Sequence, residues 1–276
     1  TADGEPRVVS CSSDKTLRVW NPLAAGDALH VFEGHSDWVH GVTTFVTADG
    51  EPRVVSCSRD KTLRVWNPLA GGDAPHALKY HSGEVSGLTA FVTDNGEPRV
   101  VSCSDDENLH VWNPLERGDA PLVLEGHSAS VNGVTAFVTA DGEPRVVSCS
   151  ADVTLRVWDP VVGGDALHVL EGYSSWVLGV TAFVTSAGEQ RVVSCSDDKT
   201  LRVWDPIEGG DALLVLEGHS GEVNAVAAFD TANGEPRVVS GSHDTTLCIW
   251  NPLKNADALL VLEGHSGAVL DVATFD

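Results

Sequence analysis

The run EGHSASVNGVTAFVTADGEPRVVSCSADVTLRVWDP, residues 125–160, decides the fold. Its pieces return every 46 residues, and six such periods fill the 276-residue chain. RVVS at Arg7–Ser10 recurs from Arg53, Arg99, Arg145, Arg191 and Arg237. Asp14 recurs as Asp60, Asp106, Asp152, Asp198 and Asp244, and Trp20 as Trp66, Trp112, Trp158, Trp204 and Trp250. Length alone would suggest about two domains. A repeat of this size cannot bury its apolar face alone and must stack on its neighbours. The expectation is one domain over 1–276, in repeats 1–46, 47–92, 93–138, 139–184, 185–230 and 231–276.

Each period holds four short strand signals and no helical periodicity. In the second repeat they are Arg53–Ser58, Thr62–Trp66, Pro75–Leu78 and Val85–Val92. Asn67-Pro68 ends the second run, because proline has no amide hydrogen to continue a ladder. Gly71-Gly72-Asp73 and Asp94-Asn95-Gly96 supply the turns. Short runs bounded by Gly, Pro, Asn and Asp read as antiparallel strands. Four strands per repeat predict an all-β propeller, which leaves only short, protected sheet edges.

The chain resembles the WD-repeat family over its whole length. A Gly-His pair stands at Gly34-His35, Gly126-His127, Gly218-His219 and Gly264-His265, and Trp158-Asp159 follows His127 by 31 residues. Ser148, Ser150 and Asp152 fill the interval as Ser-x-Ser-x-Asp. The resemblance implies one hydrogen-bonded set of His, Ser, Asp and Trp per blade, since an indole only donates and needs an acceptor. The expected sets are His35, Ser56, Asp60 and Trp66; His81, Ser102, Asp106 and Trp112; His127, Ser148, Asp152 and Trp158; and His219, Ser240, Asp244 and Trp250. Tyr173 stands where the fourth histidine belongs, opposite Ser194, Asp198 and Trp204, so that blade is expected to be the weakest. Tyr80 replaces the glycine before His81.

In a closed six-bladed ring a last strand, Val269–Phe275, completes the blade begun by residues 7–33, and His265 joins Ser10, Asp14 and Trp20. A monomer is expected. The competing expectation is a ring shared between chains, because the family most often has seven blades. The lack of any methionine suggests an excerpt of a longer array or a processed chain.

With 40 acidic and 17 basic residues the net charge is −23. That sign repels phosphate backbones and favours other proteins with basic segments as partners. No nucleic-acid partner and no membrane partner are expected. Cys11, Cys57, Cys103, Cys149 and Cys195 form one column, with Gly241 in the sixth repeat and Cys248 elsewhere. They read as small buried hydrophobes, and unpaired thiols suit the cytoplasm.

The Ser, His and Asp trios mimic a hydrolase triad, but they recur blade after blade, each tied to a tryptophan. An active site needs one distinctive cleft. No enzyme, cofactor or metal site is expected. Acidic turns at Glu51, Glu97, Glu143, Glu189 and Glu235 could attract a cation but read as structural, with the arginine column nearby.

The columns that differ most between repeats lie after the Gly-His pair and before the recurring aspartate. The resemblance places both on one face, around a central channel. Loop positions on a rigid frame are where binding is usually placed. Trp38 and Trp176, the two tryptophans outside the sets, lead the candidates, with Asp37, His40, Glu84, Glu222, Arg59 and His243. Three repeats apart, the two indoles would face each other across a six-bladed ring. The expected function is a non-catalytic interaction scaffold or adaptor. The alternative is a structural or assembly module, part of a near-identical array or an engineered symmetric propeller.

Overall fold

The computed structural model describes residues 5–72, 76–116, 120–254 and 256–274. They build six antiparallel sheets and no helix, the blade architecture of the β-propeller class. The first sheet holds β1 (Val8–Cys11), β2 (Leu17–Trp20) and β3 (His30–Phe32). The second holds β4 (Val39–Val46), β5 (Pro52–Ser58), β6 (Leu63–Trp66) and β7 (His76–Leu78). The third holds β8 (Val85–Val92), β9 (Pro98–Ser104), β10 (Leu109–Trp112) and β11 (Leu122–Leu124). The fourth holds β12 (Val131–Val138), β13 (Pro144–Ser150), β14 (Leu155–Trp158) and β15 (His168–Leu170). The fifth holds β16 (Val177–Val184), β17 (Gln190–Ser196), β18 (Leu201–Trp204) and β19 (Leu214–Leu216). The sixth holds β20 (Val223–Asp230), β21 (Pro236–Ser242), β22 (Leu247–Trp250) and β23 (Leu260–Leu262). The third-strand prediction begins at Pro75, which lies outside the described residues, as does Asp73 of the preceding turn.

The chain forms two compact units, Thr1–Glu125 and Gly126–Asp276. Each four-stranded sheet takes its inner strand from one repeat and its other three from the next, so β4 pairs with β5 and β12 with β13. The register shifts once per inner strand, between Val39 and Gly41 in β4 and between Val131 and Gly133 in β12. A bulge of this kind bends the strand and raises its twist. Gly133 then faces Cys149, and a Cβ at that glycine would stand 3.1 Å from the Cys149 sulfur. In the sixth sheet the pair is exchanged for Ala225 opposite Gly241, which keeps the bulk across the ladder small.

The tight turn after each recurring aspartate puts one residue in the left-handed region. These are Lys15, Lys61, Glu107, Val153, Lys199 and Thr245, at φ between 66° and 74°. The aspartate holds the turn: Asp60 Oδ1 accepts from the Thr62 amide at 3.1 Å and from its hydroxyl at 2.7 Å. Between blades the packing repeats. Phe183, Val193, Leu201, Val203 and Leu216 of one sheet bury against Val223, Val238 and Trp250 of the next. Burying each such aliphatic side chain is worth about 1.5–3 kcal/mol, so the cores between blades supply most of the driving force.

The run expected to close the ring is described only as far as residue 274. Residues 269–274 form no strand, and the first sheet has three strands. The segment is instead tethered to the sixth sheet. The Val269 amide donates to Ser242 O at 2.9 Å, Asn224 Nδ2 to Val269 O at 2.9 Å, and Thr274 Oγ1 to Ala228 O at 3.0 Å. Every earlier run of this kind pairs with the strand that follows it in sequence, and this one has no such strand beside it in its own unit. Phe275 lies outside the described residues.

Candidate functional site

Four blades carry the full side-chain set. In the second sheet His35 Nε2 lies 2.7 Å from Ser56 Oγ, its Nδ1 2.8 Å from Asp60 Oδ2, and Trp66 Nε1 donates to Ser56 Oγ at 2.9 Å. The third sheet repeats this with His81, Ser102, Asp106 and Trp112, each contact at 2.8 Å. The fourth does so with His127, Ser148, Asp152 and Trp158 at 2.7–2.9 Å. The sixth does so with His219, Ser240, Asp244 and Trp250 at 2.7–2.9 Å. Burial alone would raise the carboxyl of Asp60. Hydrogen bonds from His35, Thr62 and the Ser36 amide overrule it and hold the group well below the usual carboxylate range. Asp106, Asp152 and Asp244 are depressed in the same way against the same opposition.

The fifth sheet departs less than its sequence suggests. The Tyr173 hydroxyl reaches Ser194 Oγ and its carbonyl, both at 2.8 Å, and Trp204 Nε1 still donates to Ser194 Oγ. The serine therefore keeps two partners. What is lost is the link onward to Asp198, which accepts from the Ser174 amide and from Thr200. The Arg202 guanidinium carbon sits 4.7 Å over the Tyr173 ring, a cation–π arrangement.

Ser10, Asp14 and Trp20 are bonded within the first unit. Trp20 Nε1 donates to Ser10 Oγ at 2.8 Å, and Asp14 accepts from Thr16 at 2.7 Å. His265, in the second unit, is exposed.

A compensated pair distinguishes the third sheet. Arg64, Arg156 and Arg202 pass so close to Gly34, Gly126 and Gly172 that a Cβ there would meet a guanidinium nitrogen at 2.6–2.8 Å. These glycines also have φ of 145–156°, where other residues are strained. In the third sheet Tyr80 replaces the glycine and His110 the arginine, and the Tyr80 ring packs edge-on to Trp112 at 6.0 Å. The smaller imidazole leaves room for the larger neighbour.

Of the loop candidates, five come together in the first unit. The Arg59 guanidinium carbon lies 5.4 Å from the Trp38 ring. Arg59 Nε donates to Glu84 Oε1 at 2.7 Å, and His40 Nε2 approaches the other Glu84 oxygen at 3.8 Å. Asp37 Oδ1 accepts from the Trp38 amide at 2.9 Å and fixes the loop. Trp38 remains 47% exposed despite the stack. The cluster is thus a half-open indole with a cation on it, held by an ion pair that bridges two blades. Solvated ion pairs contribute little stability, so the arrangement positions the indole more than it holds the fold.

The second unit carries the rest in pieces. Trp176 is 58% exposed, and the column of Arg59 is filled there by Asp197, which accepts from Ser175 Oγ at 2.6 Å. His243 Nδ1 lies 3.3 Å from Glu222 Oε2. Sequence reading named Trp38 and Arg59 separately and missed their stacking. The available signal was the 21-residue interval at which the Arg59 amide bonds Trp38 O and the Asp105 amide bonds Glu84 O, differing only in which residues occupy it.

The acidic turns of the other loops are partly neutralised. Glu97, Glu143, Glu189 and Glu235 pair with Arg99, Arg145, Arg191 and Arg237, at 2.6 Å for Arg99 and 2.9 Å for Arg191. Among the described residues, no three His, Cys, Asp or Glu side chains are grouped to hold a metal ion. Among them, too, no helix is long and apolar enough to cross a membrane.

The family described as WD domain, G-beta repeat, matches residues 2–21, 26–67, 72–113, 119–159, 164–205 and 210–251. Comparison with curated proteins returned no match.

Proposed function

The chain belongs to the WD-repeat family, whose repeats commonly mediate protein–protein interaction, and from that premise we propose that it is a non-catalytic scaffold or adaptor. Its partner engages the loop cluster of Trp38, Arg59, Glu84 and His40. The observation that carries this reading is the half-exposed Trp38 indole under Arg59. A tryptophan held in one orientation presents a large amphipathic area at little entropic cost, the profile of an interface hot spot. Asp37 belongs to that cluster, and Trp176, Glu222 and His243 offer a second candidate surface within the other unit in this reading. The net charge of −23 favours a protein partner with basic segments and disfavours nucleic acid. Residues 1–276 then serve as one propeller domain in a reducing compartment such as the cytoplasm.

The test is capture of partners from an extract by the wild-type chain and by the Trp38→Ala/Trp176→Ala double variant. Loss of specific partners with an unchanged melting temperature supports the reading. Binding intact with a large fall in melting temperature overturns it, because the indoles would then be packing elements. A second reading, an assembly module, is favoured by the near-identity of the repeats, which leaves few positions diversified into a dedicated site.

A further inference from the structure

The loop cluster of the first unit has a counterpart in the second, with one member exchanged. Three periods of 46 residues on, Trp38, Arg59 and Glu84 correspond to Trp176, Asp197 and Glu222. Each set lies within one compact unit. The backbone frame is the same in both: the Arg59 amide donates to Trp38 O at 2.9 Å, and the Asp197 amide to Trp176 O at 3.0 Å. A lysine follows two residues on in each, Lys61 and Lys199. Lys61 Nζ donates to Ser82 O at 2.7 Å, so this lysine is not the cation on the indole.

In the first unit the frame holds a guanidinium. Arg59 lies 5.4 Å from the Trp38 ring and pairs with Glu84 at 2.7 Å. In the second unit that place has no cation. Among the described residues, no cation and no second ring lies on the Trp176 indole, which is 58% exposed. Its loop is nevertheless fixed: Ser196 Oγ donates to Trp176 O and Asn132 Nδ2 to Val177 O, both at 2.8 Å. Glu222 is half exposed, with one oxygen 3.3 Å from His243 Nδ1. Asp197 accepts from Ser175 Oγ at 2.6 Å.

From this we infer that Trp176 and Glu222, with Asp197 beside them in the frame, receive an arginine side chain displayed by a protein partner. Its guanidinium stacks on the Trp176 ring and donates to Glu222, as Arg59 does with Trp38 and Glu84. An indole face attracts a cation. A planar guanidinium can stack and donate to a carboxylate at once, which the compact, strongly hydrated ammonium of lysine does less well. Asp197 puts an anion where the first unit has its own cation. The cluster that satisfies itself in one unit is therefore completed in the other only from outside. This deepens the adaptor reading and rests on it.

The probe is the peptide acetyl-Gly-Arg-Gly amide, read by the indole N–H resonances of the intact, isotope-labelled chain, with Trp176→Phe assigning the signal. The expected result is a saturable shift of the Trp176 resonance with a Kd on the order of 1 mM. Binding should be about fivefold weaker for the matching lysine peptide, and absent for the citrulline peptide, which keeps the shape without the charge. Asp197→Arg should fill the site from within and abolish the shift. Arg59→Asp should empty the first cluster, so that the Trp38 resonance responds as well.

No saturable shift at Trp176 up to about 10 mM peptide overturns the inference. So does an equal response to the lysine peptide, an unchanged response in Asp197→Arg, or a silent Trp38 in Arg59→Asp. The titration needs no partner from an extract and so fails separately from the adaptor reading. Partners captured by the wild type and lost by the double variant would still support that reading.

Discussion

His110 lies flat on His81, the two imidazoles 3.8 Å apart and within 5° of parallel. Both nitrogens of His81 are engaged, by Asp106 and Ser102, while the buried Nδ1 of His110 has no partner. Burial first, and then the neighbouring His81, push His110 from its ordinary 6.5 down to about 4.

A proton that the unfolded chain accepts near pH 6.5 is thus refused by the folded chain until about pH 4. Stability from this residue is complete above pH 6.5 and declines as the pH falls across that window. His110→Phe keeps a stacking ring and removes the titration. Melting curves of the variant should lose less between pH 7 and pH 4.5 than those of the wild type, by on the order of a few degrees. Parallel pH profiles would show that His110 is not the group responsible.

The depressed aspartates act further down the scale. Folded Asp60, Asp106, Asp152 and Asp244 sit below their ordinary 3.8. Their contribution is present above the unfolded value and is lost as acid drives protons onto the folded carboxylates. Asp198, without a histidine partner, makes the sharper comparison. Asp60→Ala strands a buried His35 nitrogen and is expected to cost about 2–3 kcal/mol, whereas Asp198→Ala should cost roughly half as much. Chemical denaturation of both variants checks the order, and an equal or larger loss at Asp198 contradicts it.

Val153 occupies the left-handed turn position at φ 66°. A β-branched side chain there pays a steric cost of about 1–2 kcal/mol that glycine avoids, against a smaller entropic loss. Val153→Gly should therefore stabilise the protein by about 0.5–1 kcal/mol in urea titration. A fall in stability would mean that the contact Val153 makes with the neighbouring core outweighs its strain.

The cysteine column should be silent to thiol reagents in the folded state. Cys57, Cys103 and Cys195 are fully buried, and burial pushes the last two up to about 12. Thiolate is the reactive form, so labelling at pH 8 should proceed first at the less buried Cys11 and reach the others at the rate of unfolding. Mass mapping of the labelled peptides after short exposure decides the order, and early labelling of Cys103 would refute it.

The fold and the sets of Trp, Ser, His and Asp were readable because spacing alone brings them together. A strand, a four-residue turn and a returning strand put Trp66 and Ser56, ten residues apart, within hydrogen-bond reach. At Tyr173 residue type alone shows the missing histidine but not that the longer phenol reaches the same serine. The stacking of Arg59 on Trp38 and the exchange of Gly and Arg for Tyr80 and His110 depend on side-chain paths across blades, and periodicity carries no information about those. The run from Val269 reads as an inner strand by copying the repeat, and a copied pattern does not itself show which strand pairs with it.

The uniform interface between blades has a consequence for how such a chain can change in size. Excising residues 185–230 would place Val238 and Trp250 where Leu155 and Leu170 now meet Val192 and Trp204, valine for valine and indole for indole. Chain length is therefore quantised in units of 46 residues. Whole blades behave as interchangeable parts with a standard coupling, and their number is free to drift while every remaining joint still fits.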